Sequence, residues 1–503
     1  MKGLLSTRAS RAWLVVALVG LAVVVLVLAL RLGSRLGAGQ DLVDAAEPAF
    51  TDARVAGDRA GIDFISRYVD LADPLMTRRG GAGGELPALL RVITRRSKLS
   101  QAEAAAALRR EAPHTEALLR ALPLAGVAGE IPRFTRYLAT KLNTSEEGLA
   151  AQFEQSYPRL AQTLTALPSV TSGWNDIPGM DGATRFDGTT PIKTVPELRD
   201  YLGKDLVAAV ERNKEDVQDV AAHGGIGSIP RLLLVLGAVV LLFGLLQIRR
   251  ARDAPPGKPS WGVVVALGVL VVALVGTQQY FPRLDGADRA LAGLDPAFAE
   301  ARVAGDRAGI DMLHQAVLFG DPIATQRGGA AAEVPQLLTF VAQQTGTRRA
   351  TVLAGLRRRA PRTTALLQAI PLSAVAGEVP HLLTFLGRRL KLSRAQLVAT
   401  LQLRTPRLAQ SLLTVRPVAI RWNSVPGTAG LTRLDGTPVR TMPAVEAYFD
   451  KDVVPILETQ RANFRELADP WPPLTVLPPL LLGVGALLVL YGALMLRVAT
   501  KRR

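Results

Sequence analysis

The sequence of 503 residues contains no cysteine. Without a thiol the chain can form no disulfide, no thiolate nucleophile and no thiolate ligand for a metal. The domains of this protein must therefore be stable through packing and hydrogen bonding alone.

Histidine is also scarce, with only four in the chain. None of them lies at a metal-ligand spacing, so neither a zinc site nor a Ser-His-Asp triad is expected. The sequence also lacks a Walker loop, a dinucleotide-binding fingerprint and a protein kinase signature. We therefore predict no catalytic residues, no metal and no cofactor, and a protein that is not an enzyme.

Charged residues are absent from four long apolar runs, at 12–30, 232–248, 261–277 and 477–496. A helix of about 20 apolar residues crosses roughly 30 Å of hydrocarbon. The first run is longer than the apolar core of a signal peptide, about 7 to 15 residues, so it reads as an anchor. The sequence predicts four transmembrane helices, at 12–31, 230–248, 260–279 and 475–496.

The formal net charge is +17, which taken alone would favour a nucleic-acid partner. Many of the basic residues, however, lie in the three short segments 1–11, 249–259 and 497–503. Short basic segments beside membrane helices mark the cytoplasmic side. We therefore expect both termini in the cytoplasm, two extracytoplasmic domains at 32–229 and 280–474, and no nucleic acid. The flanking residues are Lys2, Arg8, Arg11, Arg249, Arg250, Arg252, Lys258, Arg497, Lys501, Arg502 and Arg503.

The two long segments resemble each other. The 17 residues at 47–63 recur at 295–311 with only three changes, and Trp13 and Trp261 have the same spacing of 248 residues. The correspondence continues without insertion to Asp187 and Asp435. We interpret the chain as a tandem duplication of a unit with a membrane helix, an extracytoplasmic domain and a second membrane helix.

A shorter repeat of about 45 residues lies inside each predicted copy. Glu-x-Pro begins it at residues 85, 130, 333 and 378. Proline is tolerated at a helix start and glutamate suits a helix N-terminus, so the motif predicts four helix starts. Ser100 with Glu103 and Ser393 with Gln396 are typical capping boxes. The fold class is therefore mainly all-α, a polytopic membrane protein with helical bundles outside the membrane.

A turn-rich segment with a Trp-Asn pair and an Arg-x-Asp-Gly motif follows the helical repeats in each copy. Aromatic and arginine side chains on turns are typical of recognition surfaces. The alternative is that the tryptophans close the end of the bundle and each arginine pairs with the nearby aspartate. The candidate interaction surface is Trp174, Asn175, Arg185, Asp187, Trp422, Asn423, Arg433 and Asp435.

Opposite charges four residues apart occur in the first helix expected after the membrane in each copy. This spacing favours ion pairs within the helix, although the cluster could instead bind an anion or a partner helix. The candidate juxtamembrane charge cluster is Arg54, Asp58, Arg59, Asp63, Arg302, Asp306, Arg307 and Asp311.

These features predict a bacterial cell-envelope protein in the cytoplasmic membrane. Its paired helical ectodomains would bind or scaffold a protein complex, a lipid or a wall polymer, as an accessory subunit in assembly or transport. The partners expected are the lipid bilayer, one such envelope component and further copies of the chain in a homo-oligomer. An extracytoplasmic sensor acting through a separate signalling partner is an alternative. In outline one unit is also similar to the polysaccharide co-polymerases that regulate chain length, with which it shares no motif.

Overall fold

A computed structural model describes residues 8–77, 81–97, 99–221, 226–251, 258–325, 328–468 and 473–501. The described residues are 83% helical and contain no strand, which confirms the all-α prediction. We call the residues before 252 the first half and those from 258 the second half. The basic flanking residues Lys2, Arg252, Arg502 and Arg503 lie outside the described residues.

The chain divides into two compact units. The span unit comprises 1–51, 209–299 and 456–503, and the helical unit comprises 52–208 and 300–455. Each unit therefore contains residues of both halves. The segments 32–229 and 280–474, predicted as extracytoplasmic domains, each contribute residues to both units.

The span unit contains the four apolar runs, all of which are helical. Among the described residues, four helices are long and apolar enough to cross a membrane, as the sequence predicted. Together they indicate a membrane protein. They are α1 (Arg8–Ala29), α12 (Ile229–Arg250), α13 (Lys258–Thr277) and α24 (Leu477–Lys501).

Glycines allow these helices to pack closely in pairs, α1 against α12 and α13 against α24. A Cβ on Gly20 would lie 2.7 Å from the Gly237 carbonyl oxygen, and one on Gly268 would lie 2.7 Å from the Gly485 carbonyl oxygen. Small residues of this kind let two backbones approach directly. The Trp13 and Trp261 rings also stack, with centroids 3.7 Å apart, and so connect α1 to α13.

The remaining helices of the span unit are amphipathic. A buried arginine in each half donates to a backbone carbonyl of the other half, Arg35 to Leu467 and Arg283 to Val220. Besides the four apolar helices, two helices lie entirely within the span unit, α2 (Leu32–Ala46) and α14 (Tyr280–Leu294). The unit also contains 3₁₀ turns at Glu47–Phe50, Asp295–Phe298 and Leu474–Val476.

The helical unit begins in each half with a helix of 25 residues, α3 (Asp52–Met76) and α15 (Glu300–Ala324). Shorter helices follow each of them. In the first half these are α4 (Ala82–Ser97), α5 (Gln101–Glu111), α6 (Pro113–Ala121), α7 (Leu124–Leu142), α8 (Glu146–Ser156), α9 (Pro158–Gly173) and α10 (Val195–Tyr201). In the second half they are α16 (Ala330–Gln344), α17 (Arg349–Arg359), α18 (Pro361–Ala369), α19 (Leu372–Leu390), α20 (Arg394–Arg404), α21 (Pro406–Arg421) and α22 (Met442–Tyr448).

A π-helical turn follows the last short helix in each half, at Leu202–Leu206 and Phe449–Val453. Next come α11 (Val207–Ala221) and α23 (Val454–Leu467). The capping boxes expected at Ser100 and Ser393 are both present.

Helices of the two halves interleave throughout the helical unit. Helix α3 packs against α21, α9 against α15, and α6 against α18. The Tyr68 hydroxyl donates to the Ala316 carbonyl at 2.8 Å, joining positions that are 248 residues apart. The core of this unit is therefore shared between the halves.

The repeated Glu-x-Pro motif does not begin helices, contrary to the sequence prediction. Its prolines lie inside helices that start earlier, for example Pro87 in α4 and Pro132 in α7. The helices instead begin at Pro113, Pro158, Pro361 and Pro406. Proline is well suited to these first positions because a helix N-terminus has no use for its missing N–H.

The four glutamates of the motif cap these proline-initiated helices across the two halves. Their carboxylates accept free backbone N–H groups in the first turn, where the helix dipole also favours an anion. Glu85 accepts from Leu408 at 2.8 Å, Glu130 from Arg362 at 2.8 Å, Glu333 from Leu160 at 2.7 Å and Glu378 from Thr115 at 2.8 Å. The glutamates thus hold the halves of the helical unit together.

Candidate functional site

The two tryptophans of the candidate interaction surface lie inside the helical unit. Trp174 is 0% exposed and Trp422 is 1% exposed, so neither ring is presented on the surface. Each indole Nε1 donates to an aspartate of the preceding long helix, Trp174 to Asp73 at 3.0 Å and Trp422 to Asp321 at 2.9 Å. This matches the alternative in which the rings close the end of the bundle.

The arginines of the turn segments are anchored by aspartates of the following helix. Arg185 makes two hydrogen bonds to Asp205, at 2.8 and 2.9 Å, and Arg433 contacts Asp452 at 3.0 Å. Arg433 also pairs with Asp435 at 3.1 Å. Asp205 thus replaces the nearby Asp187 as the ion-pair partner of Arg185, whereas Arg433 contacts both Asp435 and Asp452.

Asp187 and Asp435 close the turns that follow these arginines. Asp187 accepts the backbone N–H groups of Thr189 and Thr190, and Asp435 accepts that of Thr437. Hydrogen bonds from threonine hold the pKa of both carboxyls below the usual range. The next residues, Gly188 and Gly436, have φ of +71° and +84°, which glycine adopts without strain. The segments contain isolated antiparallel bridges, Thr184 with Pro191 and Thr432 with Pro438.

The structure brings the turn segment of the first half onto the charge cluster of the second half. Arg302 donates to the Thr184 carbonyl at 2.8 Å and to the Arg185 carbonyl at 2.6 Å. Its guanidinium also lies 4.9 Å from the centre of the Phe186 ring. Arg307 pairs with Asp450 at 2.7 Å, and Arg59 donates to Gly203.

The ion pairs expected within each long helix are formed only in part. Burial raises the pKa of Asp58 and Asp306, and Arg54 and Arg302 lie close enough to oppose this shift in part. Asp63 and Asp311 are exposed and, in the described part of the chain, have no arginine within ion-pair distance. Arg59, Arg302 and Arg307 instead contact other segments of the helical unit.

Asp58 and Asp306 are the buried members of the charge cluster, at 7% and 4% exposure. Burial raises the pKa of each to about 7, although a tyrosine and an arginine beside it favour the charged form. Tyr201 donates to Asp306 at 3.2 Å, and Tyr448 lies beside Asp58. Each of these contacts joins the two halves.

Asn175 is exposed beside the buried Trp174 and lines a polar cleft. The cleft has a volume of about 420 Å³ and is formed by α3, the start of α10 and α21. Residues of both halves contribute to it. The lining residues are Asp70, Asp73, Thr77, Asn175, Thr194, Pro196, Arg199, Arg407 and Gln410.

The charged groups of the cleft form pairs. Arg407 contacts Asp73 at 2.6 Å, and Arg199 contacts Asp70 at 2.7 Å. Asp73 also accepts the Trp174 indole, so the buried ring and the cleft share one carboxylate. Two aspartates balance two arginines, so the cleft suits a polar group without a large net charge.

A second cleft of about 840 Å³ adjoins the first and shares Thr77 and Asn175 with it. Its other lining residues are Ala125, Ala128, Gly129, Pro168, Thr171 and Ser172. This mixed apolar and hydroxyl surface differs from the charged one beside it. Together they offer hydrogen bonds at one end and apolar contact at the other.

The corresponding region of the second half keeps only part of this arrangement. Asp321 still accepts Trp422 and pairs with Arg159 at 2.7 Å. However, Leu318 occurs in place of Asp70 and Glu446 in place of Arg199. Glu446 contacts His314 at 3.0 Å, and burial raises the pKa of its carboxyl. The two halves therefore present different chemistry at equivalent places.

Asp73, Arg199 and Arg407 are cleft residues that were not predicted from the sequence. A signal for two of them existed, because Pro-Arg-Leu-Ala-Gln recurs at 158–162 and 406–410, and Asp73 recurs as Asp321. No such signal exists for Arg199. Asn423 is exposed but does not line either cleft.

In the described residues, no group of three or more histidine, cysteine, aspartate or glutamate side chains is arranged to hold a metal ion. Comparison of the chain with models of protein families, with curated proteins and with solved structures found no significant match. The geometry of the clefts is therefore the basis for the functional proposal.

Proposed function

We propose that this chain is a non-catalytic membrane protein of the bacterial cell envelope. The four apolar helices anchor it in the cytoplasmic membrane, and the helical unit lies on the extracytoplasmic side. Basic residues in the short segments beside the spans support this orientation, with both termini in the cytoplasm. Ten lysines against 50 arginines suit a GC-rich bacterial genome.

A tandem duplication explains the architecture on this proposal. Helix bounds in the two halves recur with a spacing of 248 residues, as in α6 and α18. Residues at equivalent positions also touch each other, Trp13 with Trp261 and Tyr68 with Ala316. Such contacts arise where a two-fold axis relates two similar subunits. The chain would then be a covalently linked pseudo-dimer.

The polar cleft around Asn175 is the observation that carries the functional proposal. It places hydrogen-bonding and charged side chains of both halves beside a larger, more apolar cleft. Concave sites with a few convergent polar groups are typical of ligand binding. We infer that the clefts bind an extracytoplasmic partner. This partner is either a polar segment of an envelope protein or a polar envelope molecule. The chain would serve as an accessory subunit in assembly or transport.

Filling the larger cleft tests this proposal. Gly129 lines the cleft, and a Cβ added there would meet nothing within 4 Å. We expect Gly129→Phe to leave the fold intact but to remove bound material from the chain. The measurement is native mass spectrometry of the full chain, purified from its native membranes in mild detergent.

Gly377→Phe is the matched control, because Gly377 is the equivalent residue of the second half and is equally free of neighbours. The proposal predicts one bound species in the wild type and in Gly377→Phe, and its loss in Gly129→Phe. Retention of that species by all three proteins would refute the site. So would a wild-type chain that carries nothing.

A further inference from the structure

Positive charge is concentrated in one stretch of the second half. Residues 345–432 contain 14 basic residues and one acidic residue, Glu378. The equivalent residues 97–184 contain 8 basic and 9 acidic residues. The single glutamate caps α6 at Thr115 and so is already used inside the fold. The surface of α17 to α21 is therefore strongly basic.

One cavity in the helical unit lies where this basic stretch meets the first half. It has a volume of about 330 Å³ and is lined by Arg91 and Arg95 of α4 and by Thr400 and Arg404 of α20, with Ala88 and Val92 beneath them. All three arginines are exposed. Among the described residues, no carboxylate lines the cavity.

The arginines of this cavity differ from those of the polar cleft around Asn175, which pair with aspartates. In the part of the chain that the structure describes, none of the three guanidiniums lies within 4.0 Å of a carboxylate. Arg91 donates to the Pro87 carbonyl, at 3.4 Å. Like charges held around one cavity repel each other, and a bound anion would remove that cost.

Packing does not require the arginines. At the spacing of 248 residues, Arg91 and Arg95 correspond to Thr339 and Gln343 of α16. Arg404 corresponds in the same way to Ser156 of α8. Helices of nearly the same lengths, 15 and 11 residues against 16 and 11 in α4 and α20, thus form there without any of the three positive charges. The charge of this cavity is consequently free to serve binding.

We propose that the cavity formed by Arg91, Arg95, Thr400 and Arg404 binds a phosphate group. The guanidinium fork matches the oxygens of a phosphate and can bind two of them at once. Three guanidiniums and one hydroxyl suit a tetrahedral phosphate anion, supplied by a lipid headgroup or by a soluble phosphate compound. This site is separate from the polar cleft, so the two proposals can fail independently.

The test compares the wild type with the triple variant Arg91→Thr, Arg95→Gln and Arg404→Ser, which introduces the residues of the equivalent positions 339, 343 and 156. The full chain in zwitterionic detergent is titrated calorimetrically with inorganic phosphate and with dihexanoyl phosphatidylglycerol. We expect the variant to lose about tenfold or more in affinity, because it loses three charge-assisted contacts. Its thermal unfolding should match that of the wild type.

A control variant with the same change in net charge distinguishes binding at this cavity from general electrostatic attraction to the basic surface. Arg357, Arg358 and Arg359 are exposed on α17, outside the cavity, and are replaced together by glutamine. The proposal predicts a change of less than about threefold for this control, since exposed charges at a distance are screened by salt. Equal losses in both triple variants, or no binding of either probe to the wild type, would overturn it.

The two probes identify the source of the phosphate. Binding of inorganic phosphate in competition with the lipid indicates that the phosphate group alone is recognised. If the lipid binds without competition from phosphate, and the cavity variant loses this binding, the cavity is a site for the lipid headgroup. Binding of either probe that the cavity variant retains in full contradicts the proposal.

Discussion

Replacing Trp422 by alanine is expected to destabilise the helical unit by about 3 to 5 kcal/mol. The indole is 1% exposed and packs against the rings of Phe64 and Tyr68 from the other half. Its removal leaves a cavity in the shared core and deprives Asp321 of a hydrogen bond. The measurement is the unfolding of the purified chain by heat and by denaturant in mild detergent.

Trp422→Phe is the control for the indole N–H. It keeps an aromatic ring in the core but removes the donor to Asp321, so a smaller loss of about 1 to 3 kcal/mol is expected. Trp174→Ala should behave like Trp422→Ala, because Trp174 is equally buried and donates to Asp73. If both alanine variants unfold at the same temperature and denaturant concentration as the wild type, the two rings are not part of the core.

The stability of the helical unit is expected to fall as the pH rises from 5 to 8. Burial raises the pKa of Asp58 and Asp306 from 3.8 to about 7. A carboxyl with a raised pKa stabilises the folded state fully below pH 4, and this contribution is lost as the pH rises towards 7. At 1.36 kcal/mol per pKa unit, each carboxyl contributes up to roughly 4 kcal/mol.

Asparagine variants isolate these two carboxyls. Asp58→Asn and Asp306→Asn together should remove most of the pH dependence between 5 and 8, since the amide is neutral throughout. Asp63→Asn, an exposed position on the same helix, should leave it unchanged. Carboxyls with a lowered pKa, such as Asp187, titrate below this range and do not interfere. Greater stability at pH 8 than at pH 5 in the wild type would contradict the assignment.

Local features of the fold could be predicted from the sequence because they depend on neighbouring residues. The spans follow from uninterrupted apolar runs, and the capping boxes at Ser100 and Ser393 follow from residues three positions apart. The shared core could not be predicted in this way. Contacts such as Glu85 with Leu408 join residues 323 positions apart, and a repeat of the sequence does not say which half each glutamate will cap.

The candidate site was predicted only in part for the same reason. The Trp-Asn pair recurs in both halves, so the sequence predicted Trp174 and Asn175 as one surface. Their exposure, however, depends on α3 of the first half and α21 of the second half. Burial separates them, since the indole turns inward to Asp73 while Asn175 remains exposed. Arg199 has no counterpart in the other half, so its place in the cleft becomes visible only in three dimensions.

A single disulfide tests whether the helical unit is built jointly by both halves. A Cβ on Gly182, in the turn segment of the first half, would lie 3.7 Å from the Cβ of Ala301 in α15, a separation typical of a disulfide. Because the chain has no cysteine, Gly182→Cys with Ala301→Cys would provide the only two thiols. Gly188→Cys with Ala301→Cys is the control, since Gly188 also has a positive φ and no neighbour within 4 Å.

The measurement is made on dilute, oxidised protein that is then cut at a protease site introduced between residues 251 and 258. On a denaturing gel without reductant, a jointly built unit predicts that the two fragments of the Gly182 and Ala301 variant stay linked, while those of the control separate. Fragments that separate without reductant, or crosslinks found only between different chains, would contradict the shared core and the cleft that both halves form.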